Sequence, residues 1–354
     1  MGDLVMQKTR ILAAVGGLLA SSLMALAPAS ARDLTVVSWG GNYQDAQREI
    51  FFKPFAEKSA KPVLDESWDG GYGVLAAKMQ AGAPNWDLVQ VETEELALGC
   101  ADGIYETIDW EKLGGKDKFI DSAVSKCGVG AIVWTTGLSY DADKIKTPPT
   151  SWADFFDTKK FPGKRGLRKG PKYSLEFALI ADGVNPAEVY DVLGTPEGVD
   201  RAFAKLDTIK GDITWWESGA QPIQLLASGE VVMTSAYNGR LAGINKSEGK
   251  NFQIVWPGSI YAVDSWVVLK GSPNKDAAFD LIAFTSAPEN QSKLPDYVAY
   301  GIPNKAAGAL LKPELAATLP TAPGNLDVSI PLDGDFWVDN IEAITTRFNA
   351  WVAQ

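Results

Sequence analysis

The sequence predicts an α/β protein of two lobes, and three observations support that prediction. Short apolar, β-branched segments alternate along the chain with segments of helical periodicity, which is typical of a largely parallel sheet covered by helices. The chain has 354 residues, whereas one domain usually holds about 100 to 200 residues. Turn-rich segments at residues 147–150 and 256–258 offer places where the chain can pass between lobes.

The predicted elements follow one another in a regular order. The first strand covers residues 34–38, and Ala46, Ile50 and Phe55 share one face of the helix that follows it. A second helix passes through residues 74–79. The remaining predicted strands cover residues 62–66, 87–91, 131–134 and 231–236, and the remaining predicted helices cover residues 174–181, 196–209 and 220–228.

The last predicted helix begins near Asp339 and carries Ile341, Ile344, Phe348 and Trp351 on one face. An apolar face of this kind must dock on a folded body, and we expect it to return to the first lobe. The predicted organisation is therefore a discontinuous first lobe at residues 32–138 plus 260–354, and a second lobe at residues 139–259.

The N-terminal segment has the order of a secretory signal. Lys8 and Arg10 precede an apolar run at residues 11–26, and small residues ending at Ala31 follow it. We therefore expect residues 1–31 to be a cleaved signal peptide and the remaining chain to act in the periplasm. The apolar run is short for a membrane span, but a retained anchor is the alternative.

The two cysteines, Cys100 and Cys127, fit an oxidising compartment. A single disulfide between them is the natural pairing there, and two buried free thiols are the alternative.

The composition excludes several functions. The chain contains no histidine, so it has no Ser-His-Asp or Cys-His catalysis, imidazole-bound metal or histidine pH switch. Its net charge of -11, without a basic stripe, argues against a nucleic-acid partner. No cofactor-binding motif is present, so we expect neither cofactor nor metal.

Aromatic and acidic residues recur where predicted strands end, which is where open α/β sheets bind ligands. Aromatic faces beside a carboxylate can hold an alkylammonium ion. Each aromatic residue taken alone is as well explained by core or rim packing, but the set favours a ligand site. The residues at these junctions are Trp39, Glu92, Trp216, Glu217, Tyr237, Arg240, Tyr261 and Asp264.

The chain resembles a known family through five segments in order. They read LTVVSWGGNYQDA, PPTSWADFFD, WWESGAQPIQLLASGEVVMTSAYNGR, VWPGSIYAVDSW and YGIPN. They are similar to the spermidine/putrescine group of periplasmic solute-binding proteins, the receptors of ABC importers. The resemblance implies a two-lobe periplasmic-binding-protein fold of type II that closes on its ligand by a hinge. It also implies a small amine ligand, a membrane permease as partner, a monomer and no enzymatic activity.

The resemblance also implies roles for single residues. Trp39 and Tyr237 match aromatic residues of the family's site, and Asp264 matches the residue that pairs with a ligand ammonium. Tyr300 and Trp337 match further residues that line the cleft.

Departures from the family's pattern favour a different ligand. Polyamine binders carry acidic residues where this chain has Arg168, Lys169 and Lys172, and they carry a tryptophan at Ala262. Arg240 can hold a carboxylate through two hydrogen bonds. With Asp264 for an ammonium, this favours γ-aminobutyrate over putrescine or spermidine, as in the subset of the family that binds γ-aminobutyrate. The alternative for Arg240 is a structural ion pair with a neighbouring carboxylate, whereas for the other three cations a solvated turn is the favoured account.

Two other readings stay open at this point. A secreted hydrolase could use an acid/base pair drawn from Glu92, Glu94, Glu217 and Asp264, because glycoside hydrolysis needs two carboxylates. A receptor of the same fold could instead bind a sugar, a metal or a ferric ion.

Overall fold

The computed structural model describes residues 32–82 and 85–354, so the predicted signal segment lies outside the described residues. Within these ranges nine strands form one mixed sheet, in which eight strands follow the order β2-β1-β3-β8-β4-β7-β5-β6 and the ninth, β9, pairs with β8. The strands are β1 (Leu34–Ser38), β2 (Val63–Ser67), β3 (Leu88–Val91), β4 (Val129–Asp141), β5 (Arg165–Arg168), β6 (Ile213–Trp216), β7 (Met233–Tyr237), β8 (Phe252–Val268) and β9 (Ile330–Pro331).

Helices cover the sheet, and a five-residue π-helical segment, Arg48–Phe52, joins the first two of them. The helices are α1 (Gly41–Gln47), α2 (Lys53–Ser59), α3 (Tyr72–Gln80), α4 (Thr93–Ala101), α5 (Trp152–Phe156), α6 (Ser174–Ala181), α7 (Val189–Leu193), α8 (Pro196–Asp207), α9 (Gln221–Ser228), α10 (Asn238–Glu248), α11 (Lys275–Ser286), α12 (Pro288–Gln291), α13 (Lys305–Gly308), α14 (Pro313–Ala316), α15 (Pro323–Leu326) and α16 (Gly334–Val352). No helix of the described ranges is long and apolar enough to cross a membrane.

The sheet consists of two parallel groups joined by two long antiparallel strands. β1 pairs in parallel with β2 and β3, and β5 pairs in parallel with β6 and β7. Between the groups, β4 and β8 pair antiparallel over most of their length. β3 pairs with the end of β8 and β7 with the end of β4, so one group is attached to β8 and the other to β4. The pairing of β4 with β8 shifts register between Thr136 and Leu138, next to the predicted lobe boundary at residues 138–139.

The final helix starts earlier than the sequence predicts. α16 begins at Gly334, where the side chain of Asp333 accepts a hydrogen bond from the backbone N–H of Phe336 at 2.9 Å. Ile341, placed on the apolar face by the sequence, is 37% exposed. Trp337 takes its place and is fully buried.

The expected docking of α16 on the first lobe is also wrong for the C-terminal half of the helix. Phe348 lies 5.4 Å from Trp215 between ring centroids, and Trp351 lies 5.6 Å from Phe203. Both partners belong to the segment predicted as the second lobe. They offer the helix an aromatic surface at β6, the edge strand of the sheet, and burying four large rings there is strongly favourable.

The disulfide between Cys100 and Cys127 is confirmed, with the two Cα atoms 5.9 Å apart. It ties the end of α4 to the chain just before β4. In the chain-entropy account, closing a loop of this length stabilises the fold by roughly 3 kcal/mol. It also fixes α4, whose first turn lies beside the site described next.

Candidate functional site

A buried carboxylate lies at the junction of the two parallel strand groups. Asp264, on β8, is 3% exposed. The indole Nε1 of Trp134 donates to its Oδ1 at 2.8 Å, and Nε2 of Gln90 donates to its Oδ2 at 3.3 Å. Burial raises the pKa of Asp264 well above its usual value, and the nearby charge of Glu92 raises it further.

Among the described residues no lysine or arginine forms an ion pair with Asp264. Two hydrogen bonds from neutral donors offset part of the cost of burying this carboxyl group as an ion, but they leave its charge unbalanced. A buried charge without a counter-ion is costly. The site therefore favours a cationic partner from outside the chain.

Gln90, on β3, is held in one orientation by its neighbours. Its Oε1 accepts hydrogen bonds from Ser38 Oγ, the Tyr43 hydroxyl and Gln47 Nε2, each at 3.0 Å. With the carbonyl oxygen engaged three times, the amide N–H₂ is directed toward Asp264. The position of the carboxylate is thus fixed by residues from β1, α1 and β3.

Trp39 forms a wall beside the carboxylate. It follows β1 directly, and its ring stacks on Trp68 with 5.4 Å between centroids and 16° between planes. Trp68 is held in turn, because its Nε1 donates to the carbonyl of Gln90 at 3.1 Å. The Trp39 indole N–H lies close enough to lower the pKa of Asp264. That N–H is buried, and within hydrogen-bonding geometry none of the described residues accepts from it.

Four further aromatic residues continue the wall. Trp134 packs edge-on against Tyr237 at 5.4 Å and against Tyr173 at 6.3 Å between centroids. Trp216 packs edge-on against the other side of Tyr237 at 5.8 Å. Tyr173 has a φ of 74°, a backbone conformation that costs a residue with a side chain of order 1 kcal/mol and is most common at functional sites.

The 237–239 turn positions a last tyrosine. Tyr300 packs edge-on against Tyr43 at 5.5 Å. Its segment is tied to the turn because Nδ2 of Asn238 donates to the carbonyl of Ala299 at 2.5 Å. Gly239 is required here, since a Cβ atom at that position would lie 2.7 Å from the Tyr300 ring.

Two arginines lie at the other end of this aromatic wall. The guanidinium carbon of Arg168 is 5.6 Å from the centroid of the Tyr173 ring. Both Arg168 and Arg240 lower the pKa of Tyr237, and Arg240 also lowers the pKa of Tyr300, although burial leaves both tyrosine pKa values raised overall. Within residues 32–82 and 85–354 neither arginine forms an ion pair. A structural ion pair for Arg240 is therefore not what the described residues show.

The predicted solvated turn at residues 168–172 is correct only for Lys169. Lys169 is exposed and pairs with Glu217 at 2.8 Å. The side chain of Lys172, in contrast, is only 16% exposed and forms an ion pair with Glu94 of α4. Arg168 is partly buried. Arg168 is the last residue of β5, so the end of the strand brings this one cation to the aromatic residues of the site.

Glu92 acts on both ends of the aromatic wall: its charge affects Asp264 at the acidic end, and Arg168 at the basic end affects Glu92. Burial raises its pKa to about 7, and the nearby charge of Glu95 also raises it. Lys172 and Arg168 act in the opposite direction. Because the charge of Glu92 raises the pKa of Asp264, the two carboxyl groups resist being ionised together when no ligand cation is present.

The structure brings most of the predicted site residues together and separates three. Glu217 is exposed beside Lys169. Tyr261 lies three residues before Asp264 on β8, and because side chains alternate along a strand it points to the opposite face, toward Ser122. Trp337 is buried elsewhere, with its Nε1 donating to Glu176 Oε1 at 2.8 Å. The residues brought together are Trp39, Glu92, Trp216, Tyr237, Arg240, Asp264 and Tyr300.

Sequence reasoning missed Gln90, Trp134 and Tyr173, and it treated Arg168 only as one of three cations that would repel a diamine. Trp134 closes a run of apolar strand residues and looked like core. Gln90 is a polar residue inside an otherwise apolar strand, which is a signal that could have been used.

Two of the four carboxylates that a hydrolase could use are exposed or already paired. Of the carboxylates considered for a hydrolase, Glu217 is exposed and Glu94 is paired with Lys172. No group of metal-ligating residues occurs in the part of the chain that the structure describes. The fold and the cluster instead define the class of two-lobe binding proteins, which hold a small molecule at the strands that join their lobes.

Comparison with known proteins gives the family. Residues 63–323 match the bacterial extracellular solute-binding protein family, and the chain belongs to it. As a member it is a binding protein with a small-molecule ligand and a membrane permease as partner. The resemblance and the fold predicted from the sequence are thus confirmed.

Three relatives illustrate the likeness. The γ-aminobutyric acid-binding protein of Pseudomonas aeruginosa is 47% identical over 93% of this chain and 94% of its own length. The putrescine/cadaverine-binding protein of the same species is 24% identical over 79% of this chain and 84% of its own. A solved ABC transporter substrate-binding protein from Bradyrhizobium japonicum is 35% identical, with a TM-score of 0.82 over 90% of this chain and 99% of its own.

Proposed function

We propose that the protein binds γ-aminobutyrate between its two lobes, in the periplasm, and presents it to the permease of an ABC importer. The separation of unpaired charge is the observation that carries this proposal. Asp264 has no cationic partner, and Arg240 has no carboxylate partner, among the described residues. A short zwitterion with its charges at opposite ends supplies both partners. The γ-aminobutyric acid-binding relative, at 47% identity, supports the same ligand.

The binding mode follows from the positions of the groups. The ligand ammonium lies against Asp264, where the rings of Trp39 and Tyr237 cover its methylene groups through cation-π and apolar contacts. The ligand carboxylate lies against Arg240. Closure about β4 and β8 removes both charged ends from water and completes the site.

This geometry selects by length as well as by charge. A ligand that is too short, or that lacks one charged end, leaves Asp264 or Arg240 buried without a partner in the closed form. Such an unpaired charge costs several kcal/mol, which is enough to reject the wrong ligand.

A diamine such as putrescine, or the polyamine spermidine, is the second candidate, and the putrescine/cadaverine-binding relative supports it. Its first ammonium would also bind Asp264. Its second ammonium would approach Arg240, and the resulting repulsion between like charges is the reason that we place diamines and polyamines second.

The cellular setting forms part of the proposal. We infer that residues 1–31 are removed on export, that residues 32–138 with 260–354 and residues 139–259 are the two lobes, and that the protein acts as a monomer. Mass spectrometry of the exported protein should give an N-terminus at Arg32, and light scattering should give a single-chain mass. A retained N-terminal segment or a stable dimer would contradict these points.

A thermal-shift and calorimetry panel tests the proposed ligand. We expect γ-aminobutyrate to stabilise the protein by about 2.7 kcal/mol at one hundred times its Kd. Putrescine, spermidine and a neutral sugar should give much smaller shifts at equal concentration. A shift with putrescine and none with γ-aminobutyrate would reject the zwitterion in favour of the diamine.

A further inference from the structure

Arg168 is the second arginine of the cluster, and the proposed binding mode gives it no role. It is the last residue of β5 and lies in parallel register with Trp216 on β6. Its guanidinium carbon is 5.6 Å from the Tyr173 ring. The backbone at this position is fixed, because Ser174 Oγ donates to the carbonyl of Arg168 at 3.1 Å.

The neighbouring cations have partners that Arg168 lacks. Lys169 pairs with Glu217, and Lys172 pairs with Glu94. Arg168, like Lys172, is partly buried. No carboxylate of residues 32–82 and 85–354 is within ion-pairing distance of its guanidinium. Glu92 and Glu94 act on its charge only from beyond ion-pairing distance, so the guanidinium keeps its hydrogen-bond donors for an anion in direct contact.

The charge of Arg168 acts on the site. It lowers the pKa values of Tyr237, Tyr173 and Glu92, which places the guanidinium on the side of the wall that these residues share. For Tyr237 its influence ranks above that of Arg240. The charge of Arg168 therefore acts on Tyr237, in the middle of the aromatic wall, more strongly than the charge of Arg240 does.

The two arginines differ in how firmly they are placed. Arg240 is exposed and lies on α10, in the turn after β7. Arg168 is carried by a strand inside the sheet, with β6 on one side and β7 on the other. Groups on rigid elements discriminate between ligands better than groups on exposed turns, because they cannot move away from a repelled charge.

We propose that Arg168 is the residue that selects an amino acid over a diamine: it attracts the ligand carboxylate and repels a second ammonium. This inference rests on the proposed function and adds its specificity determinant. A guanidinium fork matches a carboxylate, so the same group gives both attraction and rejection.

Titration calorimetry of three four-carbon ligands tests this assignment. γ-Aminobutyrate has an ammonium and a carboxylate, putrescine has two ammonium groups, and n-butylamine has one ammonium only. The variants are Arg168→Gln, Arg168→Lys, and Lys169→Gln as the matched neighbour whose charge lies outside the cluster. Circular dichroism melts verify that each variant folds.

For Arg168→Gln we expect γ-aminobutyrate to bind about 10- to 100-fold more weakly, as on losing a hydrogen bond between charged groups. Putrescine should bind at least about tenfold more tightly, and n-butylamine should change by less than about threefold. Arg168→Lys should keep the rejection of putrescine, because the charge remains, while losing part of the γ-aminobutyrate affinity. Lys169→Gln should match the wild type with all three ligands.

Two results would overturn the role of Arg168 without affecting the proposed function. Equal weakening of γ-aminobutyrate and n-butylamine in Arg168→Gln would show a structural residue, and unchanged selectivity in that variant would assign the carboxylate to Arg240. A wild-type protein that does not bind γ-aminobutyrate would instead overturn the proposed function, and the inference with it.

Discussion

The acidic and basic ends of the cluster are built differently. Asp264 is held by Trp134 and by Gln90, whose own carbonyl is fixed by three donors. Arg168 and Arg240 touch rings and have no ion-pair partner among the described residues. The acidic end is therefore preorganised before the ligand arrives, whereas the basic end is completed by it. From this difference we expect the acidic end to provide affinity for any amine, and the basic end to determine which amine is selected.

Removing the charge of the acidic end should have the largest effect. Asp264→Asn should weaken γ-aminobutyrate and n-butylamine alike by at least about 100-fold, because no negative charge remains for the ammonium. The ligand-free protein should lose little stability at neutral pH, because burial already raises the pKa of Asp264 and favours its uncharged form, which the asparagine amide replaces. Calorimetry and thermal melts measure the two effects.

Asp87 is the matched control, because it is equally buried but fully partnered. It accepts hydrogen bonds from Arg32, Ser272 and Asn274 side chains. Asp87→Asn should therefore lower the free energy of unfolding, by about 3 kcal/mol, and leave the selectivity among amines unchanged. If Asp264→Asn destabilised the protein as much and kept its ligand response, Asp264 would be a structural residue.

The stack behind Trp39 should have an intermediate effect. Trp68→Phe keeps an aromatic ring against Trp39 but loses the bond from Nε1 to the carbonyl of Gln90. We expect all amine ligands to weaken by about 3- to 10-fold, without a change in selectivity, because only the preorganised end is loosened. A selective loss of γ-aminobutyrate would show that the two ends are not separable.

The ion pair between Glu94 and Lys172 should have a smaller effect. It joins α4 of the predicted first lobe to the segment before α6 in the second. In a double-mutant cycle with Glu94→Gln and Lys172→Gln, we expect a coupling of about 0.5 to 1 kcal/mol in ligand binding, since both side chains are partly screened by solvent. No coupling would show that the pair plays no part in closing the cleft.

The smallest expected effect is on stability against pH. Glu92 has a folded pKa raised to about 7 and Asp264 a pKa raised well above its usual value, so the folded protein holds these protons more tightly than the unfolded chain. The contribution of Glu92 to the free energy of unfolding is present at pH 4 and is lost as the pH rises through about 7, and that of Asp264 declines in the same direction. Ligand-free Glu92→Gln should show a flatter decline of Tm between pH 5 and 8 than the wild type. If Tm declined with pH at the same slope in both proteins, Glu92 would not contribute to the pH dependence of stability.

The sequence predicted the parts of the fold that depend on local pattern. Apolar runs and turn residues indicated where strands end, and this placed Trp39, Tyr237 and Asp264 at the junction of the two parallel strand groups, where the structure has them. Tyr261 was assigned to the wrong face of the sheet. The face toward which each side chain of β8 points depends on the register of β8 against β4, which the sequence alone does not give.

Long-range packing set the rest. The docking of α16 on Phe203 and Trp215 depends on which edge of the sheet is left uncovered, and no local pattern encodes that. Trp134 and Gln90 became site residues only through hydrogen bonds to Asp264, across 130 and 174 positions of sequence. The departure from polyamine binders at Arg168 was visible in the sequence, but its burial was not.

A crystal structure of the protein with γ-aminobutyrate tests the central claim most directly. The account predicts the ligand ammonium within about 3 Å of a carboxylate oxygen of Asp264, between the rings of Trp39 and Tyr237, with its carboxylate toward the two guanidinium groups. A ligand bound in the reverse orientation, or bound away from Asp264, would contradict it.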